Sequence, residues 1–274
     1  MSKLTLERTL ARDRWVVSGC LALIVALAWL WLWREWAAMS ANQSMAGMDM
    51  PGMDMSGPMG SPAEAWVYLS SAFVMWLLMM VAMMLPSAAP MILIYGKVAR
   101  GAQAQGAAMA PTAVFAGSYL VIWGGFSALA ALAQWLLVRS GVISEMGLAI
   151  GDRRIAGTLL IAAGLYQATP VKRACLESCR SPLSFLMRLC RPGWAGAARL
   201  GFAHGLYCLG CCALLMTLLF VFGVMNLVWV AALALFVMVE KLLPVGPRFS
   251  TGVGIAAAIV GLGMIIGVRL PGAP

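Results

Sequence analysis

The chain has 274 residues, 62% of them hydrophobic and 11% charged, with a mean hydropathy of +0.90. That mix excludes a soluble globular domain and predicts an all-α, polytopic transmembrane helical bundle. The formal charge of +9 is no nucleic-acid signal, since no RNA- or DNA-binding motif accompanies it and the bases instead sort by side of a membrane.

A span needs about 20 mainly apolar residues. On that criterion the chain carries about seven, near 15–33, 66–90, 112–138, 154–170, 200–222, 225–243 and 251–268, the fourth and seventh being short. With the N-terminus in the cytoplasm, 14 of the 19 Lys and Arg residues fall on the inner side, leaving Arg34, Arg139, Arg153, Arg154 and Arg269 outside. The positive-inside rule therefore sets this orientation and a multi-pass location in the cell (inner) membrane. Four units follow: an N-terminal signal anchor (1–38), an exterior Met-rich loop (39–65), a membrane core (66–250), and a last span with its tail (251–274).

The first apolar run is longer than a usual signal-peptide core and ends in Trp29, Trp31, Trp33 and Trp36, as an interfacial anchor does. Beyond it, Met48-Asp-Met-Pro-Gly is followed at once by Met53-Asp-Met-Ser-Gly. The surrounding loop holds Met45, Met48, Met50, Met53, Met55 and Met59. Its Pro and Gly oppose a helix and it lacks branched and aromatic residues, so packing is a poor explanation for the methionines. Thioether sulfur is a soft, uncharged ligand suited to Cu(I). The alternative is a flexible linker with methionine by accident of composition; Asp49 and Asp54 either assist a cation or keep the loop wet.

On the second span, Trp76, Met79, Met80 and Met83 share one helical face, which fits either soft-ion exchange or apolar gap-filling. Pro86 is expected to loosen the last turn of that span. Gln134, Gln167 and Asn226 read as interhelical hydrogen-bonding groups. In the basic cytosolic loop 171–199, whose expected neighbours are anionic lipid headgroups, Cys175 and Cys179 stand one helical turn apart. Lys172, Arg173 and Arg180 nearby are expected to favour their thiolates. The alternative is a pair of free thiols on a surface helix.

The fifth span is the most specific. His204, the one histidine, is followed by Cys208, Cys211 and Cys212; at 100° per residue they lie about 40°, 20° and 80° from it, a single stripe. Gly201, Gly205 and Gly210 on the same helix permit a close neighbour. Metal or thiol chemistry competes here with a packing reading in which His204 bonds a carbonyl. At the end of the sixth span, Glu240 and Lys241 are expected to snorkel to water at the cytosolic interface.

Trp76 to Pro90, Tyr166-Gln167, Thr169-Pro170, Lys172, Cys175-Leu176 and Cys179-Arg180-Ser181-Pro182 form a first set of blocks. His204-Gly205, Tyr207-Cys208-Leu209-Gly210-Cys211-Cys212, Met216, and Glu240-Lys241 with Pro244 complete it. Together, over residues 66 to 250, the chain resembles the bacterial predicted metal-binding integral membrane proteins grouped as a domain of unknown function. The resemblance implies a multispanning fold and a metal site, with copper the suspected metal; the Met-Asp-Met loop is an addition to that pattern. The expectation is a non-enzymatic copper-handling protein that binds Cu(I) through Met and Cys for uptake, delivery or tolerance. Membrane lipids and a soluble copper chaperone or a cuproenzyme are its expected partners. A membrane thiol-disulfide oxidoreductase and a non-catalytic assembly factor are the alternatives. No P-loop and no Asp-Lys-Thr-Gly signature points to ATP-driven transport.

Overall fold

The computed structural model describes residues 3–46, 62–143, 148–243 and 247–267, and these are helical throughout, joined by short turns. Ten helices follow in order: α1 (Lys3–Ala46), α2 (Pro62–Ala104), α3 (Thr112–Arg139), α4 (Arg153–Gln167) and α5 (Pro170–Arg180). They continue with α6 (Pro182–Leu189), α7 (Gly193–Thr217), α8 (Leu219–Phe222), α9 (Leu227–Leu242) and α10 (Pro247–Ile265). Among the described residues, five segments are long and apolar enough to cross a membrane: Trp15–Ala41, Ala63–Ala104, Thr112–Arg139, Gly193–Phe222 and Arg248–Ile265. Helices stand at all seven predicted places. However, α4 with 15 residues and α9 with 16 rise only about 23 and 24 Å, against a hydrocarbon core of about 30 Å.

The six-methionine loop falls almost wholly outside the described residues. Met48, Met50, Met53, Met55 and Met59 lie there, whereas Met45 belongs to α1, which runs through the boundary expected at residue 38 to Ala46.

Helix α2 is the spine of the bundle, packing against α1, α3 and α9. At 43 residues it rises about 65 Å, so it extends well beyond any single span. The expected loosening at Pro86 does not end it: both Pro86 and Pro90 lie inside the helix, which runs on to Ala104. A proline deletes one backbone donor. On the same stretch Ser87 Oγ donates to the Met84 carbonyl at 2.8 Å and Tyr119 Oη donates to the same oxygen at 3.3 Å. Higher on α2, Trp76 Nε1 donates to Gln134 Oε1 at 2.7 Å and Gln134 Nε2 donates to Tyr68 at 3.0 Å, which joins α2 to α3 as the sequence predicts. Asn226 instead caps α9, accepting from the Trp229 N–H at 3.5 Å.

Glycine sets the two closest helix contacts. A Cβ at Gly201 would lie 2.3 Å from the Phe115 carbonyl, so α7 meets α3 backbone to backbone. Helix α10 runs antiparallel to α4 with Gly157 against Gly261 and Gly164 against Gly254, where an added Cβ would meet a backbone oxygen at 2.4–2.5 Å. The seven-residue repeat on both helices keeps the small residues on one seam.

Candidate functional site

The stripe on α7 turns inward. Cys208, Cys211 and Cys212 are each 1% exposed and His204 is 3% exposed. Cys211 Sγ lies 3.2 Å from Cys212 Sγ and donates to the Cys208 carbonyl at 3.1 Å. Tyr119 Oη on α3 is 3.2 Å from Cys208 Sγ.

A fourth sulfur comes from α5. Thr169 caps that helix by accepting from the Lys172 N–H, and Pro170 occupies its first turn, so α5 starts directly after α4 and lies along α7. Cys179 thereby reaches hydrogen-bonding distance of both Cys208 and Cys211. Cys175, one turn earlier, packs on the α7 backbone, its Sγ 2.8 Å from where a Cβ at Gly210 would sit. The spacing argument that both thiols face one way holds. Both thiols are free and half-buried on a helix that lies against α7. The neighbouring bases do not favour the thiolates: burial pushes the Cys175 thiol up, and for Cys179 the hydrogen bond to Cys208 is the main cause pushing it up. Cys190, after α6, is likewise raised by burial.

The cation at the thiols is a residue the sequence reading placed at the water interface. Lys241 is 6% exposed and its Nζ donates to Cys208 Sγ at 2.9 Å and to Ser87 Oγ at 3.3 Å. Its neighbour Glu240, 1% exposed, takes Lys172 Nζ on both oxygens at 2.8 Å, and Arg180 Nε donates to the Glu240 carbonyl at 2.6 Å. Lys172 Nζ also donates to Gln167 Oε1. The snorkelling expectation for Glu240 and Lys241 is therefore overturned. Helix α9 ends among α2, α5 and α7, where the stems have no path to water and each charge finds a partner inside.

His204 sits in an aromatic cage, with ring centroids 5.5 Å from Tyr119, 5.7 Å from Phe185 and 6.0 Å from Phe115. The packing reading gave this imidazole a carbonyl partner, yet its Nδ1 is buried with no hydrogen-bond partner. Met79, Met80 and Met83 are fully buried on α2, and Met84 and Ser87 tie the following turn to Tyr119 and Lys241.

Among the described residues, no group of three or more His, Cys, Asp or Glu side chains stands in the arrangement of a metal site. Donors about 2.3 Å from a shared ion stand roughly 3.7–4.6 Å apart, whereas the thiols here touch at hydrogen-bonding distance. Binding an ion between them requires side-chain rotation, and the donor chemistry, sulfur beside a cationic Lys241, suits a soft univalent metal.

Tyr119, Ser87 and Phe185 were not singled out in the sequence reading, and Lys241 was given no part in the site. The available signal was Glu240-Lys241 closing an apolar helix while another lysine, Lys172, stood beside the cysteine pair: ionisable residues bordering apolar segments need partners. Neither a curated protein nor a solved structure matches the chain. A family model described as PpoB2, copper chaperone, matches residues 73–264, which takes in α2 from Phe73, the thiol cluster, and Glu240 with Lys241. Covering well over half of the sequence, that match makes the chain a member of the PpoB2 copper chaperone family.

Proposed function

We infer that this protein is a non-catalytic copper carrier of the inner membrane that takes Cu(I) as cargo through sulfur ligands. In this reading the chain passes the membrane about seven times with its N-terminus in the cytoplasm. The exterior methionines Met45 to Met59 collect the ion, Met79, Met80 and Met83 carry it down α2, and Cys179, Cys208, Cys211 and Cys212 receive it. The acceptor is a soluble copper chaperone or a cuproenzyme under assembly.

The observation that carries this reading is the gathering of three buried thiols and the half-buried Cys179 with one buried ammonium group. Two thiolates around Cu(I) leave one net negative charge, which an apolar interior penalises heavily; Lys241 beside Cys208 supplies the balancing charge. A divalent ion on the same pair of thiolates would leave a buried positive excess. Membership of a copper chaperone family agrees with the choice of metal.

The test is the copper content of the full-length protein, purified reduced and without oxygen, and loaded with Cu(I). It is compared with a variant carrying all six loop methionines as Leu and with Cys208→Ser/Cys211→Ser. Wild type is expected to hold more Cu(I) than either. Equal content in all three ends the reading, and oxidant-dependent loss of thiol labelling without copper binding would favour a thiol-disulfide oxidoreductase.

A further inference from the structure

Two cavities meet at Gln167, away from the thiols. The first, about 330 Å³, is apolar and runs between α4, α9 and α10, lined by Leu160, Gly164, Leu233, Phe236, Gly254 and Val260 among others. The stacked pair Phe222 and Trp229, with ring centroids 4.0 Å apart, borders it. From Leu160 to Gln167 the cleft follows two turns of α4, about 10 Å. The second cavity, about 250 Å³, is lined by the polar and charged residues Gln167, Lys172, Arg173, Glu177, Arg180 and Ser250 together with Leu176, their side-chain stems leaving much of its wall apolar. Gln167 lines both, and Lys172 Nζ sits 5.8 Å over the ring of Phe236, so the polar and apolar spaces share a border.

The polar cavity holds two donors with nothing to bond. Gln167 Nε2 and Ser250 Oγ belong to residues 3% and 5% exposed, and neither atom has a hydrogen-bond partner. Buried polar groups without partners are costly, and a bundle that keeps two of them at one cavity is built to satisfy them from outside the chain. Around the cavity Lys172, Arg173 and Arg180 stand against Glu177 and the Glu240 that pairs with Lys172, so the site carries one positive charge in excess, with Arg173 exposed at the rim. Donors and a guanidinium call for an oxyanion, and the adjoining cleft calls for a hydrocarbon chain.

We propose that this paired cavity is a binding site for one anionic phospholipid, whose phosphate accepts from Gln167, Ser250 and Arg173 and whose acyl chain fills the α4–α9–α10 cleft. The site uses none of the cysteines, although α5 supplies both its polar lining and Cys175 and Cys179. A lipid seated there bridges α4, α5, α9 and α10, the helices that converge on that wall, and holds the short helices α4 and α9 in place from the membrane side.

The experiment uses the full-length protein in nanodiscs or detergent supplemented with equal amounts of dioleoyl phosphatidylglycerol and dioleoyl phosphatidylcholine, with retained lipid read by native mass spectrometry. Wild type is expected to retain the phosphatidylglycerol about fivefold over the phosphatidylcholine, the effect of one basic contact. Arg173→Glu, a change at an exposed side chain, removes that preference. Ala256→Trp, which places a large ring at the mouth of the apolar cleft, lowers retention of both lipids. Millimolar inorganic phosphate leaves retention unchanged. Equal retention of the two lipids by wild type overturns the proposal, as does an unaltered preference in Arg173→Glu. Displacement by free phosphate overturns it too, since it would show a simple anion pocket. Each readout is independent of bound copper, so a failure of the copper reading leaves this result interpretable.

Discussion

At the scale of single residues, the buried ammonium of Lys241 links the charge structure of the bundle to its sulfur chemistry. Its Nζ contacts Cys208 Sγ at 2.9 Å and has Ser87 Oγ as its second acceptor, so any anion formed at the thiols finds its countercharge at once. A charge-assisted hydrogen bond is worth about 1.5–3 kcal/mol. Lys241→Met is therefore expected to weaken Cu(I) binding by about 10- to 100-fold, while Lys241→Arg retains most of it. Competition of the reduced protein against a Cu(I) chelator measures this directly, and unchanged affinity in the Met variant would remove Lys241 from the site. The cysteines and His204 were legible because 3.6-residue periodicity puts i, i+4, i+7 and i+8 on one stripe. Lys241 was not, because a lysine at a helix end has the same local sequence whether it reaches water or a buried thiol. Which of the two occurs depends on what packs over the end, and that is set by residues far away in the chain, here Ser87 and Cys208.

The same point governs the neighbouring ion pair. Lys172 and Glu240, each 1% exposed, are separated by most of α5, α6, α7 and α9. Removing one partner from such a pair strands a charge in the interior and costs about 3–5 kcal/mol. Glu240→Gln should thus lower the thermal unfolding midpoint of the protein in detergent well below wild type. The double variant Lys172→Met/Glu240→Leu should recover most of the loss, because no unpaired charge remains. If the single variant unfolds at the wild-type temperature, the pair is hydrated and the bundle is wetter at that level than its packing indicates.

At the scale of elements, helix positions were readable from hydropathy, since apolar runs of span length have few other uses. Helix ends and contacts were less so. The loosening expected at Pro86 does not interrupt α2, which runs through both prolines to Ala104. The α4–α10 seam escaped notice because Gly157, Gly164, Gly254 and Gly261 are dispersed among 29 glycines and only their shared register gives them meaning. That seam makes a sharp prediction. Gly164→Leu drives a Cβ to within 2.4 Å of the Gly254 carbonyl, a backbone atom that cannot rotate away, so the two helices must separate. A loss of about 1–3 kcal/mol follows, as for other overpacked interfaces. Gly125→Ala, where nothing lies within 4 Å of the added Cβ, should be neutral or raise stability by up to about 1 kcal/mol through helix propensity. Denaturation of the two variants side by side checks both signs, and equal stability would mean that α4 and α10 do not pack through their glycines.

For the whole molecule, the direction of the copper route depends on which side of the membrane each end of the bundle faces. The methionine loop precedes α2, and the thiol layer is reached about 17 to 25 residues further along that helix, at Met79 to Ser87, or about 25–38 Å away. That distance is close to one hydrocarbon thickness, so the proposed topology sets the start of α2 and the thiol layer near opposite faces. In the proposed orientation the α5–α6 side is the cytoplasmic one, since Arg173, Arg180, Arg188, Arg191 and Arg199 fall between α4 and the middle of α7. Single reporter cysteines in a background with Cys20 and Cys190 as Ser decide the matter. Ser56→Cys in the loop should react with a membrane-impermeant maleimide in intact cells, and Ser184→Cys, exposed on α6, only after permeabilisation. The reverse pattern would leave the sulfurs joined along the same helix but place their intake in the cytosol, turning a route of uptake and delivery into one of export. Labelling of both sites in intact cells would mean that α2 does not carry the chain across at all, and the separation of intake from receiving site would be lost with it.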